Sequence, residues 1–472
     1  GSGSASFSYN KATSTHGGAI YAAVGDINIS SSGTTAFSNN TANTHGGALY
    51  TEQTASLSGT GTTTFNNNST TNGAGGAIYS VQDTLLNGAG MTTFNGNSAS
   101  TGGAIYSGRN VTINGPQQTT FINNQANQAG GAIYLTGTLA LATQTPLLFN
   151  QNTAATNGGA VCLSGTSNGS ITNAIFSNNN SGNYGGAISS ENQASGAYLN
   201  LTNTFFNNNT ANQYGGAVFS RANLTLINPL FTNNAAGQAG GAIYMAGSNP
   251  NTVLTFNLSA NTVINPSPSV PGGYSGDNDI ACSSNTASFI KTGLGALILN
   301  TQNPSWVAPT LVQQGSMIIG QSSANLAASW GSSTTPSQAL TVNNGAMAGG
   351  FGTFYTTSAT FHNGSTWLVG ITPTGQSGHL TIAGPLTLNA GSNLLIQPTQ
   401  GTYTTGTSYT LATATGGVTN SGINVAIDPS AGLQGLYELG NIIYGTNSVT
   451  LTITNTTNLP TSPSFELNDN II

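Results

Sequence analysis

Along the first half of the chain, apolar and polar residues alternate in short runs, and the runs return at a steady interval. One interval, Gly102 to Ala129, reads GGAIYSGRNVTINGPQQTTFINNQANQA. Its three β-prone runs, AIYS, NVTIN and TTFIN, are separated by Gly, Asn and Pro turn signals. The 3.6-residue periodicity of an amphipathic helix is missing. Three short strands repeated in one orientation predict one coil of a parallel β-helix. Each strand then pairs with its equivalent about 4.8 Å away in the next coil.

The interval is marked by two motifs. Gly-Gly-Ala followed by Ile, Leu or Val begins at Gly17, Gly46, Gly75, Gly102, Gly130, Gly158, Gly185, Gly215 and Gly240, in steps of 29, 29, 27, 28, 28, 27, 30 and 25 residues. Phe-x-x-Asn begins at Phe7, Phe37, Phe65, Phe94, Phe121, Phe149, Phe176, Phe206 and Phe231, eight to ten residues before its glycine pair. In coils of nearly fixed length, equivalent residues stack. The aliphatics Ile20, Leu49 and Ile78 are expected to form one inward column and the phenylalanines another, with rings piled face to face. The asparagines Asn40, Asn68, Asn97 and Asn124 are expected at a corner, where Asn tolerates left-handed backbone and amides can ladder. The glycine pair is expected where a Cβ would clash with a sharp turn.

Alternation sends the neighbours of these residues outward. Ala36, Thr64, Thr93 and Thr120 precede the phenylalanines, and Tyr21, Tyr50, Tyr79, Tyr106 and Tyr134 follow the aliphatics, continued by Cys162, Ser189, Phe219 and Tyr244. Tyrosine is enriched at interfaces, so an exposed tyrosine stripe on one face is a candidate recognition surface.

Composition narrows the function. Only 3% of the 472 residues are charged and the net charge is -6. Clustered Lys and Arg are missing, which excludes nucleic acid as a partner. No apolar run is long enough for a membrane-spanning helix, so these residues are not expected to insert into a membrane. Cys162 and Cys282 lie about four coils apart, too far to be bridged, and are expected as free thiols.

Candidate chemistry is sparse. The repeats carry Asp26, Glu52, Asp83 and Glu191. Asp26, Glu52 and Asp83 fall in successive coils and could share a face, but glycoside hydrolysis needs a spaced carboxylate pair and no nucleotide or nucleophile motif accompanies them. His16 and His45 precede adjacent glycine pairs and are expected to stack, without the third ligand that zinc needs. Asp277 and Asp279 could place carboxylates near Ca²⁺, though turn formation explains them as well. The reading is no catalysis, no cofactor and no metal.

After Tyr244 the regular repeat stops, and NPSPSVPGGYSGDNDIACSSN reads as a boundary. Beyond it come less uniform strand-like runs, among them SFIKTGLGALILN, LTVNNGAMAGGFGTF and LTLNAGSNLLIQ. The expected organisation is a regular β-helix over 1–264, a transition over 265–285, less regular β-coils over 286–456 and a tail over 457–472.

Recurrent GGA[ILV] with FxxN resembles the polymorphic membrane protein family of chlamydiae, and SFIKTGLGALILN resembles an element of autotransporter passengers. The resemblance implies a right-handed parallel β-helix that is extracellular, at the bacterial cell surface and outer membrane or secreted, and that adheres to host cells. Its implied partners are a host cell-surface receptor protein or glycan, together with self-association. By matching positions, it implies binding segments at Phe37, Asn40, Gly46, Gly47, Ala48 and Leu49. The equivalents in two further coils are Phe65, Asn68, Gly75, Gly76, Ala77 and Ile78, then Phe121, Asn124, Gly130, Gly131, Ala132 and Ile133. Two other readings compete: a self-assembling surface fibre, because solenoid ends present open strand edges, and a glycan-processing β-helix enzyme.

Overall fold

The three runs of the Gly102 interval become strands Ile105–Ser107, Val111–Ile113 and Thr119–Ile122. A two-residue strand, Gln125–Ala126, follows the asparagine and is too short for alternation to reveal. Every strand of this coil pairs in parallel with its equivalents in adjacent coils. Ile78, Ile105 and Ile133 stand in one register, and Phe65, Phe94 and Phe121 in another. The chain is therefore an all-β solenoid, a parallel β-helix. In three later coils the second and third strands run together as Thr138–Asn150, Asn168–Ser177 and Tyr198–Asn207.

The computed structural model describes residues 3–247, 251–264, 279–428 and 440–454, and the backbone of Thr457–Leu459. Two units divide the chain: Gly1–Asn257 with Ile264–Ala287, and Leu258–Val263 with Ser288–Ile472. Much of the expected transition over 265–285 and of the tail lies outside the described residues.

In the first unit the narrow interior is filled by stacks. Neighbouring phenylalanine rings from Phe7 to Phe231 lie 4.6–5.1 Å apart and within 9° of parallel. Apart from Phe7 at the end, they have no exposed surface. Beside them runs a closed amide ladder. Asn68 Nδ2 donates to Asn97 Oδ1 at 3.0 Å and to the Phe37 carbonyl at 2.9 Å. Its Oδ1 accepts from the backbone N–H of Asn40 at 3.0 Å and from its Nδ2 at 2.8 Å. Each buried amide thus spends both protons and both lone pairs, which is what lets a polar column sit in an apolar interior.

The left-handed residue at this corner is one place earlier than expected. Asn39, Asn67 and Asn123 have φ of 56°, 53° and 57°, with Gly96 in the same role at 67°. The FxxN asparagine itself must turn inward to ladder, so the preceding residue reverses the chain. At the opposite corner the first glycine of each pair is left-handed, Gly46 at φ 66° for example. The second packs against the next coil: a Cβ on Gly47 would lie 2.0 Å from the Gly76 carbonyl oxygen. A third corner is capped by short polar side chains. Asp26 Oδ1 accepts from Thr54 N, Asp83 Oδ1 from Asn110 N, and Asn110 Oδ1 from Thr138 N, at 3.0, 3.0 and 2.8 Å.

The second unit has its own parallel ladders. SFIKTGLGALILN supplies Ser288–Thr292 and Ala296–Leu299, and Phe289, Thr310 and Leu340 stand in one register. Trp306, Trp330 and Trp367 are fully buried here. Lys291 is also fully buried, its Nζ donating to the carbonyls of Thr292, Gly293 and Gln314 at 2.7, 2.8 and 3.1 Å. Toward the chain's end the pairing changes: Ser448–Ile453 runs antiparallel to both Ser408–Ala414 and Gly440–Tyr444.

Candidate functional site: a laddered aromatic face

The strands that follow the glycine pairs form one sheet on the side of the first unit. Their outward residues stack as the inward ones do. Tyr21, Tyr50, Tyr79, Tyr106 and Tyr134 follow one another at ring distances of 5.3, 5.2, 4.6 and 5.4 Å. Stacking changes what the stripe presents. Tyr21, at the end, is 50% exposed, while Tyr50 is only 5% exposed, and Tyr79, Tyr106 and Tyr134 are half-buried. The expected exposed stripe is therefore a file of ring edges and hydroxyls, because each ring face is covered by the next ring.

A second, interrupted column lies beside it, built by the aromatic residues that precede four of the nine glycine pairs. His16 stacks on Tyr50 at 4.2 Å and His45 on Tyr79 at 4.4 Å, each reaching one coil onward. Tyr184 on Phe219, at 4.7 Å, and Tyr214 on Tyr244, at 4.4 Å, repeat the same step. Tyr184 and Tyr214 escaped the sequence reading, although they occupy the position of the two histidines. Between the two aromatic patches stand Cys162 and Ser189, both buried. Both cysteines are free thiols, as their spacing predicts, and burial pushes the Cys162 thiol far up from its ordinary value.

The face carries little charge, and what it has is paired. The Tyr50 hydroxyl donates to Glu52 Oε1 at 2.5 Å, and burial followed by Glu52 raises its pKa. Burial raises Tyr79 to about 12 and pushes Tyr106 and Tyr134 up as well, so these phenols are neutral hydrogen-bonding groups at physiological pH. Five coils on, Ser189 donates to Glu191. Glu191 pairs with Arg221 at 3.4 Å, and the guanidinium lies 5.6 Å above the Phe219 ring. His16 and His45 stack at 5.2 Å. His45 Nδ1 accepts from Ala74 N at 3.0 Å, and burial, then His16, lowers its pKa. It is a neutral ring in a stack.

The structure places the motif residues inside the coil wall. Phe37, Asn40, Ala48, Leu49, Phe65, Asn68, Ala77, Ile78, Phe121, Asn124, Ala132 and Ile133 have no exposed surface. Gly46, Gly47, Gly75, Gly76, Gly130 and Gly131 make the turn that carries each tyrosine outward. These residues build the wall behind the face. Asp26 and Asp83 are turn caps two coils apart with Thr54 between them. No group of three His, Cys, Asp or Glu side chains could hold a metal among the described residues. Of the suggested calcium carboxylates, Asp279 is buried and Asp277 lies outside the described residues.

The solenoid repeats one column of side chains along a lateral sheet, so the same chemistry recurs from coil to coil. The chain belongs to the chlamydial polymorphic membrane protein family: that family's Chlamydia polymorphic membrane protein repeat matches residues 4–23, 34–52, 62–81, 91–108, 118–136, 146–164, 203–221 and 230–246. Each match runs from the phenylalanine strand to the tyrosine strand of one coil. The chain is accordingly a surface protein of the autotransporter type. No curated protein matches it, and no described helix is long and apolar enough to cross a membrane.

Proposed function

We propose that the chain is the adhesive passenger of this surface protein, holding a host cell-surface receptor, protein or glycan, along the sheet that carries the tyrosine file, without catalysis. The unbroken stack from Tyr21 to Tyr134 carries the reading. Stacking holds the rings in place before any partner arrives, so little side-chain entropy is lost on contact. The accessible ring edges and hydroxyls of Tyr21, Tyr79, Tyr106 and Tyr134 offer weak contacts of the kind interfaces favour. Copies along one molecule, and molecules along one cell, multiply the weak contacts into avidity. The low charge fits a face that works by shape and hydrogen bonding rather than electrostatic steering.

Purified chain, fluorescently labelled, should coat host cells and compete with whole bacteria for them. Failure to coat, or coating that leaves bacterial attachment unchanged, refutes the reading. Light scattering on the same material separates self-association: particles that grow with concentration, and coating that follows that growth, would favour the fibre instead.

A further inference from the structure

The two ends of the aromatic face are built from different chemistry. At the position before the glycine pair, one end carries His16 and His45 and the other Tyr184 and Tyr214. All four rings make the same step onto the aromatic of the next coil. Only the histidines can change charge between about pH 5 and pH 8.

His45 is fixed by a bond that requires one protonation state. Its Nδ1 accepts from the Ala74 backbone N–H at 3.0 Å, so that nitrogen carries a lone pair and the ring's single proton sits on Nε2. Protonation puts a hydrogen on Nδ1, and two donors then face each other. Ala74 leads into the glycine turn that carries Tyr79 outward, and it is buried, so losing the bond is costly there. His16 is under no such constraint. The Thr44 hydroxyl, 2.6 Å from its Nδ1, can donate or accept.

The groups packed around His45 do not hold a charge in place. His16 stacks at 5.2 Å, Tyr79 at 4.4 Å and Tyr50 at 6.5 Å. Glu52, the acid of this coil, is bonded to the Tyr50 hydroxyl, and Lys11 is exposed on a strand of another sheet. The Tyr79 face attracts a cation, but weakly beside a lost buried hydrogen bond and a like charge on His16.

We propose that His45 is an acid-released latch on the aromatic face: protonation breaks its bond to Ala74, swings the ring off Tyr79 and opens that end of the file, while the Tyr184 and Tyr214 patch stays closed. Burial, then His16, holds the folded-state pKa below the ordinary 6.5, so the unfolded chain binds more protons just below that value. The latch therefore contributes fully above pH 6.5 and weakens as the pH falls from there through the folded-state value. The opening stands on the stack alone. Its effect on attachment rests on the adhesive reading.

Nuclear magnetic resonance on the intact chain, with labelled histidine and tyrosine rings, tests the latch between about pH 8 and pH 5. The His45 ring should titrate below 6.5 and lose its Overhauser contacts to Tyr79 over the same range. Exchange at the Ala74 amide should quicken about tenfold or more relative to Gly130, whose N–H is bonded to the Asn157 carbonyl. His45→Tyr, which copies the arrangement at Tyr214, should keep its contact to Tyr79 throughout. If that variant does not fold, the parent's titration and Ala74 exchange decide alone. A His45–Tyr79 contact or Ala74 protection that survives acid, or a tyrosine variant that opens at the same pH, overturns the latch. On cells, acid should reduce coating by the parent more than coating by His45→Tyr. Equal reductions refute the link to attachment, whereas a chain that coats at no pH refutes the adhesive reading and leaves the resonance result standing.

Discussion

Replacing Asn124 by leucine tests the amide ladder at its centre. The substitution keeps the branched shape of a fully buried side chain, swells it by the larger volume of two methyl groups, and deletes four hydrogen bonds. Asn124 Oδ1 accepts from the backbone N–H of Asn97 at 3.1 Å and from its Nδ2 at 2.9 Å. Its own Nδ2 donates to Asn152 Oδ1 at 2.9 Å and to the Phe94 carbonyl at 3.1 Å. The damage is uneven. Asn97 N–H is stranded, and one proton of the Asn97 amide loses its acceptor while the other keeps Phe65 O. Asn152 Oδ1 still accepts from the Asn124 backbone. Two stranded donors at about 1–3 kcal/mol each give a cost of about 2–6 kcal/mol. Asn10→Leu removes one amide bond, to Asn40 Oδ1 at the exposed end of the ladder, and keeps the backbone N–H bond to the same oxygen, so it should cost under about 1 kcal/mol. Solenoids open locally, so amide hydrogen exchange suits the test better than a single melting curve. Protection should collapse in the coils on either side of Asn124 and persist further off. Protection in both variants within about 0.5 kcal/mol of the parent would refute the ladder as a source of stability.

Phe121→Ala should destabilise the first unit by roughly 3–5 kcal/mol in a denaturant titration, as for other buried aromatic truncations. An unchanged transition would mean the ring column contributes nothing. Gly131→Ala drives a Cβ to 2.0 Å from the Gly159 carbonyl oxygen and should cost about 3 kcal/mol. Gly165→Ala, left-handed at φ 64° but in open space, should cost about 1–2 kcal/mol, and equal losses at both sites would refute close coil packing. Burial lowers the Lys291 pKa from 10.5 to about 7. The unfolded chain then binds more protons between those values, so this residue's contribution to stability should rise with pH above 7 and flatten in Lys291→Met. The titration is best read below about pH 9.5, before unfolded tyrosines lose their protons. A slope that is the same with and without Lys291 would contradict it.

The coil was legible because its columns are one-dimensional. Once Phe37, Phe65 and Phe94 share an offset in successive intervals, parallel pairing leaves their rings nowhere to go but onto each other. The tyrosine strand was legible for the same reason. Its exposure was not, because alternation says which side of the sheet Tyr50 faces but not that neighbouring rings cover it. The left-handed corner was misplaced by one residue, since Asn39 and Asn40 are both asparagine and only the hydrogen bonds distinguish hinge from ladder. Asp26 and Asp83 look like candidate acids in sequence, yet each caps the coil above through a backbone N–H. The stacking of His16 and His45 was legible from their shared offset, but the bond that fixes His45 was not, because its donor is a backbone N–H of the next coil, at Ala74.

The claim that a lateral face of stacked tyrosines makes this surface protein an adhesin is tested most directly by mapping attachment face by face. Host-cell coating should be compared for the parent chain, for Tyr79→Thr/Tyr106→Thr/Tyr134→Thr, and for Thr64→Ala/Thr93→Ala on the outward side of the phenylalanine strands, with circular dichroism confirming each fold. Coating lost in the tyrosine variant and kept in the threonine variant is the predicted outcome. A folded tyrosine variant that coats cells as well as the parent would contradict the account.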